Sequence, residues 1–132
     1  MARILLASIV NWQKYIKMYK KVNLKSKQEL LDNLHSETFS RRTVSFYRYV
    51  KIENPKVMRD FLFDKLSELK CLGRIYIASE GINAQMNVPE HNWSLFDNLI
   101  QDMKEFNGVE YKIAVEEKNT SSFLKLIIKV RP

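Results

Sequence analysis

The sequence predicts an α+β domain of βαββαβ order with one added strand, behind a basic helical arm. Three observations point there. Apolar residues recur at helical steps of three and four in some stretches and at a strand step of two in others, with Gly, Pro and Asn at the joints. The basic surplus is confined to one end: residues 1–43 hold nine basic and three acidic residues, a net +6, whereas 44–132 hold 13 and 12, a net +1. The length of 132 residues, 45% hydrophobic and 28% charged, suits one compact domain plus an extension and leaves no room for two enzyme domains.

The arm, residues 1–43, opens with Leu5, Ile9, Trp12, Ile16 and Tyr19 at helical spacing, lysines falling mostly between them. Ser26 and Glu29 have the spacing of a capping box ahead of Leu30, Leu31 and Leu34, which predicts a second short helix, and Ser36 to Arg42 reads as a linker. From Val44 the pattern changes. Val44 to Val50 is β-branched and aromatic, a first strand, and Asn54-Pro55 starts a helix carrying Met58, Phe61, Leu62, Leu66 and Leu69, with Gly73 as the turn beyond it. Arg74 to Ala78 and Ala84 to Val88 form a hairpin about the turn Ser79 to Asn83. Pro89 opens a helix with Trp93, Phe96, Leu99, Ile100 and Met103, which runs until Asn107-Gly108. Glu110 to Val115 is a strand, Lys118 to Ser122 reverses the chain, and Phe123 to Val130 is the last strand.

This order is the split-βαβ, ferredoxin-like (acylphosphatase-like) arrangement, an antiparallel sheet with both helices on one face. Alternate residues then point away from the helices. Ile75, Ile77, Ala84, Met86, Val88, Tyr111, Ile113, Val115, Leu126, Ile128 and Val130 make the core set, and Arg74, Tyr76, Gln85, Asn87, Lys112, Lys125 and Lys129 the outward set. In the first strand Phe46 is expected inward with Tyr47 and Tyr49 outward. That parity puts Arg48 on the core side, near the sheet's end, where its guanidinium can reach solvent or a carboxylate.

Several chemistries find little support. His35 and His91 are the only histidines, so neither a His-centred triad nor a metal site is expected. Cys71, the single cysteine, has no partner for a disulfide or metal knuckle, fits a reducing cytoplasm, and reads as a buried core thiol. Three widely separated glycines, Gly73, Gly81 and Gly108, cannot build a dinucleotide or phosphate loop, so no cofactor is expected. An acylphosphatase shares the topology, but the glycine-rich anion loop after its first strand has no equivalent in Val50 to Pro55. No stretch approaches the roughly 20 apolar residues of a membrane span, and no membrane partner is expected.

What remains is the outward face, where Tyr47, Tyr49 and Tyr76 interleave with Arg74, Lys112, Lys125 and Lys129. Aromatic rings stack on unpaired bases and basic groups neutralise phosphates, so the face suits single-stranded or loop RNA; a merely solvated sheet surface is the alternative. The arm likewise reads as a helix lying on RNA or an anionic membrane, or as one packed on the domain with its lysines in water.

Ser45 to Val50, then Leu72 to Asn83 with Gly73-Arg74 ahead of Glu80-Gly81-Ile82-Asn83, and finally Phe123 to Val130 resemble the N-terminal domain of the rhodanese-containing tRNA uridine hydroxylases. The likeness spans about residues 44–132, and it departs where Ala84-Gln85 stands in place of the family's usual Gly-Thr. It implies an accessory ferredoxin-like domain of a bacterial cytoplasmic enzyme that 5-hydroxylates the wobble uridine of tRNA, with the catalytic cysteine in a following rhodanese domain that this chain does not contain. No catalytic residue is therefore expected here, and Cys71 inherits no role. The implied partners are the tRNA anticodon region and the rhodanese domain. The expected RNA contacts are Arg74, Lys125 and Lys129 on phosphate and Tyr47 and Tyr76 on bases. The turn Glu80, Gly81, Ile82 and Asn83 is expected to touch substrate or the docked domain, or else to be purely structural, with Gly81 at positive φ and Asn83 bonded to backbone. A protein-interaction module without RNA contact and an acylphosphatase-like enzyme are the competing functions.

Overall fold

Asn54 and Pro55 begin a helix as their chemistry requires: the Asn54 side chain accepts a hydrogen bond from Val57 N, and proline occupies the first turn where its missing N–H costs nothing. The computed structural model describes residues 27–115 and 123–132. The expected helix through Leu5 to Tyr19 and the reversal at Lys118 to Ser122 lie outside these described residues.

Helix α1 (Lys27–His35) precedes strand β1 (Arg41–Tyr49), helix α2 (Pro55–Glu68), strands β2 (Leu72–Ala78) and β3 (Gly81–Pro89), helix α3 (Trp93–Asp102), strand β4 (Lys112–Val115) and strand β5 (Leu126–Val130). The sheet order is β4-β1-β3-β2-β5. The first four strands pair antiparallel, and β5 adds to β2 in parallel, Gly73 opposite Leu126 and Ile77 opposite Val130. The ferredoxin-like expectation is met, with a mixed sheet of five strands.

Between the sheet and helices α2 and α3 lies the core. Leu62 and Leu66 of α2 and Phe96 and Ile100 of α3 close on Val44, Phe46, Ile75, Ile77, Ala84, Met86 and Val88, all buried. Tyr111 packs against this core, its hydroxyl donating to Asp97 at 2.8 Å. Ile113 and Val130 keep the core parity but sit on the two edge strands, 48% and 40% exposed.

Several boundaries differ from the sequence reading, β5 for one starting at Leu126 and not at Phe123. β1 begins at Arg41 inside the expected linker, since Arg41 to Thr43 pair with Asn87 to Pro89. α2 is stopped by Lys70 at φ 59°, with Cys71 N reaching back to Leu66 O, so Gly73 lies inside β2. Pro89 ends β3, and a 3-10 turn, Glu90–Asn92, separates it from α3, which stops at Asp102, short of Asn107-Gly108.

Candidate nucleic-acid interface

Strand parity fixes which side chains share the face opposite the helices. One row crosses the sheet as Tyr47, Asn83, Tyr76 and Lys129, directly opposite one another on β1, β3, β2 and β5. The next row is Lys112, Ser45, Gln85, Arg74 and Ile127, and a third is Ala114, Thr43, Asn87 and Leu72. Strands lie about 4.8 Å apart, so Tyr47 and Tyr76 stand about 10 Å apart across Asn83.

The two ends of this face differ. At the third row Asn87 is fully buried, its amide oxygen accepting from the Thr43 hydroxyl at 3.1 Å, and Arg41 beside it is 6% exposed. Arg41 holds Glu37 through two bonds of 2.9 and 2.6 Å and donates to Lys70 O at 2.8 Å. The expectation that Asn87 belongs to an open surface is therefore overturned: a polar residue on the outward parity becomes an interior one once its amide is matched and covered. At the other end Tyr47 and Tyr49 are 67% and 87% exposed, and Arg74, Asn83, Gln85 and Lys129 are exposed, whereas Lys125, also exposed, lies toward the Leu72 end, where its carbonyl accepts from Gly73 N.

A groove of about 290 Å³ runs along this open end, bounded by Tyr47, Tyr49, Tyr76, Glu80, Asn83 and Arg131. It gathers Tyr47, Tyr76 and all of Glu80, Gly81, Ile82 and Asn83, while Arg74 adjoins it through Tyr76 and Lys125 lies outside its lining. The hairpin turn itself is only Ser79-Glu80, so Gly81, Ile82 and Asn83 are strand residues paired with Tyr49, Arg48 and Tyr47. Ile82 is buried, 5% exposed, with its side chain on the parity of the helix side. Gly81, at φ 153°, has no room for a Cβ, which would meet the Arg48 carbonyl, so the glycine lets β1 and β3 close up. Asn83 points to solvent on the open face rather than bonding the turn backbone.

Arg48 sits on the helix side near the end of β1, as parity requires. Its partners are carbonyls, Asn107 O at 2.6 Å and Glu105 O at 3.3 Å, so it ties down the chain after α3 instead of meeting a carboxylate. Cys71 is buried, which pushes its thiol up to about 12 despite the opposing pull of Arg41. The reading of an inert core thiol fits. His91 is exposed and edge-on to Phe39, ring centroids 4.8 Å apart.

Arg131 was not among the expected contacts. Its guanidinium lies 4.6 Å from the centre of the Tyr76 ring, and with Arg74 it holds the Tyr76 hydroxyl below the ordinary tyrosine value, the Arg131 hydrogen bond being the main cause. The alternation that selects Lys125 and Lys129 reaches Arg131 one step later, and that signal was present in the sequence.

The backbone after β1 bears on phosphate chemistry. Val50 N and Ile52 N donate to Glu80 O and Ser79 O at 3.0 and 2.9 Å, so these two amides are already engaged and cannot cradle an anion.

Residues 41–132 match the family model described as the UPF0176 acylphosphatase like domain. The chain belongs to that family. Curated relatives named tRNA uridine(34) hydroxylase include those of Leptospira interrogans, 46% identical over 109 residues, and Pectobacterium carotovorum, 43% identical over 107 residues. The matches take in 83% and 80% of this chain but only 29% and 30% of those proteins, so the chain spans under a third of their length. The relative from Buchnera aphidicola is 37% identical, over 83% of this chain and 33% of its own. Among solved structures, the dark state of BlrB, a BLUF protein, superposes with a TM-score of 0.54 over 71% of this chain and 74% of that one, at 11% identity, a likeness of fold alone. The family's description as acylphosphatase-like is met by the βαββαβ topology.

Proposed function

We propose that residues 41–132 are the tRNA-holding accessory domain of a cytoplasmic tRNA uridine 5-hydroxylase, with the chemistry carried out in a rhodanese domain. The observation that carries this reading is the open half-face. Tyr47 and Tyr76 stand in one row with Lys129, and Arg74 is next to them, a mixture that suits stacking on unpaired bases and neutralising phosphates. The relatives' name supplies the substrate class, and the anticodon loop, where bases are unpaired, is the part of a tRNA this face fits. Lys125, exposed just before β5, widens the cationic border.

Titrating the 132-residue chain with a tRNA anticodon stem-loop at two salt concentrations tests the proposal. Saturable binding that weakens as salt rises, and that falls when Arg74 and Lys125 are both changed to Ala, supports it. Absence of RNA binding together with tight binding to an isolated rhodanese domain would replace it with a pure docking role.

A further inference from the structure

Six arginines lie among the described residues, and four of them are spent inside the molecule. Arg41 pairs with Glu37, Arg42 with Glu90, Arg59 with Asp60 and the Ile128 carbonyl, and Arg48 with two carbonyls. Arg74 and Arg131 are the other two. Arg74 lies on β2 two residues before Tyr76 and on the same face, Arg131 follows β5 and stands 4.6 Å from the centre of the Tyr76 ring, and among the described residues neither has a carboxylate within 4.0 Å. Two guanidinium groups set about one neutral tyrosine repel each other, and an anion between them would offset that repulsion. The planar forks of both can meet phosphate oxygens directly.

The same groove also has an end suited to a base. Tyr47 stands 67% exposed across Asn83 from Tyr76, and the Asn83 carboxamide, exposed on the groove floor, offers both a donor and an acceptor to a base edge. Glu80 lines the groove at the hairpin turn, and its negative charge disfavours an anion there, which directs phosphate to the Arg74 and Arg131 end.

We propose that this groove is a single-nucleotide site of unpaired RNA, the phosphodiester held by Arg74 and Arg131 astride Tyr76 and its base stacked on Tyr47 above Asn83. The proposal deepens the RNA-holding role and rests on it, and it adds Arg131 as a phosphate contact.

The test uses the whole chain with a fluorescent uridine hexaribonucleotide and the same oligomer carrying abasic residues throughout. Arg131→Ala and Arg74→Ala each lower affinity about tenfold and each reduce the slope of log affinity against log salt by about 0.7, the single-strand value for one phosphate contact. Tyr47→Leu weakens the uridine oligomer about tenfold or more, leaves the salt slope unchanged, and has no effect on the abasic oligomer. Lys65→Ala, on the helix side, changes nothing. If the anticodon stem-loop still binds but Arg131→Ala retains full affinity and slope, the nucleotide site is overturned while the broader RNA role stands. Equal affinity for the uridine and abasic oligomers also overturns it, by removing the base. Failure of every RNA to bind the unaltered chain overturns the broader role and this site together.

Discussion

Asn87 and Asn83 lie on the same strand and the same parity, four residues apart, yet one is fully buried and the other faces solvent. The arginines repeat the contrast. Arg41, at the buried end, satisfies Glu37 and the Lys70 carbonyl, whereas Arg74 is exposed and has no carboxylate within 4.0 Å among the described residues. One face of one sheet thus serves two purposes, and residue type does not separate them. A polar side chain matched by neighbours becomes a structural pin, and the same side chain left unmatched is available to a ligand.

The contrast can be broken most forcefully at Asn87. Asn87→Asp places a carboxylate where water does not reach, and it should cost roughly 3 kcal/mol or more, lowering the melting temperature by on the order of 10–20 °C, while Asn83→Asp stays within about 0.5 kcal/mol. Calorimetry of the two variants checks this, and equal shifts would erase the distinction between the two ends. Next comes Arg41→Ala, expected to cost about 2–3 kcal/mol in urea unfolding because it strands Glu37 and the Lys70 carbonyl, against under about 0.5 kcal/mol for Arg74→Ala.

Cys71 sharpens the comparison from the interior side. Its thiol titrates near 12 in the folded chain and nearer the ordinary 9.0 when unfolded, so above pH 9 the unfolded state loses its proton first. Stability therefore falls as pH rises from about 9 towards 12, by up to about 1.4 kcal/mol per pH unit from this group, and Cys71→Ala should flatten that part of the curve. A thiol reagent should label the native protein only as fast as it opens. The smallest effect is spectroscopic. Tyr76 should form phenolate below the ordinary tyrosine range, and Arg131→Ala should move that absorbance step upward because the main cation favouring phenolate is gone.

Much of the architecture was legible because strand and helix periods are local properties. The parity of β2, β3 and β5 assigned Ile75, Met86 and Ile128 to the core and Arg74, Tyr76 and Lys129 to the opposite face, as the pairing confirms. The extent of the hairpin turn was less legible. Glu80-Gly81-Ile82-Asn83 has the composition of a loop, and only the close approach of Arg48 to Gly81 draws the last three residues into β3. The burial of Asn87 was hidden for a different reason: alternation tells which way a side chain points but not whether something lies over it. Arg48 reached backbone carbonyls that exist only after α3 has turned back, a long-range partner invisible in its own neighbourhood.

The parallel attachment of β5 has a consequence for biosynthesis. Lys125, Lys129 and Arg131 follow every other element in chain order, so Tyr47, Asn83 and Tyr76 leave the ribosome before the positive rim that flanks them. A nascent chain halted before Lys125 should hold the aromatic floor without those three cations, and comparing RNA capture by ribosome-stalled intermediates released before and after β5 would time when the protein becomes able to grip its target.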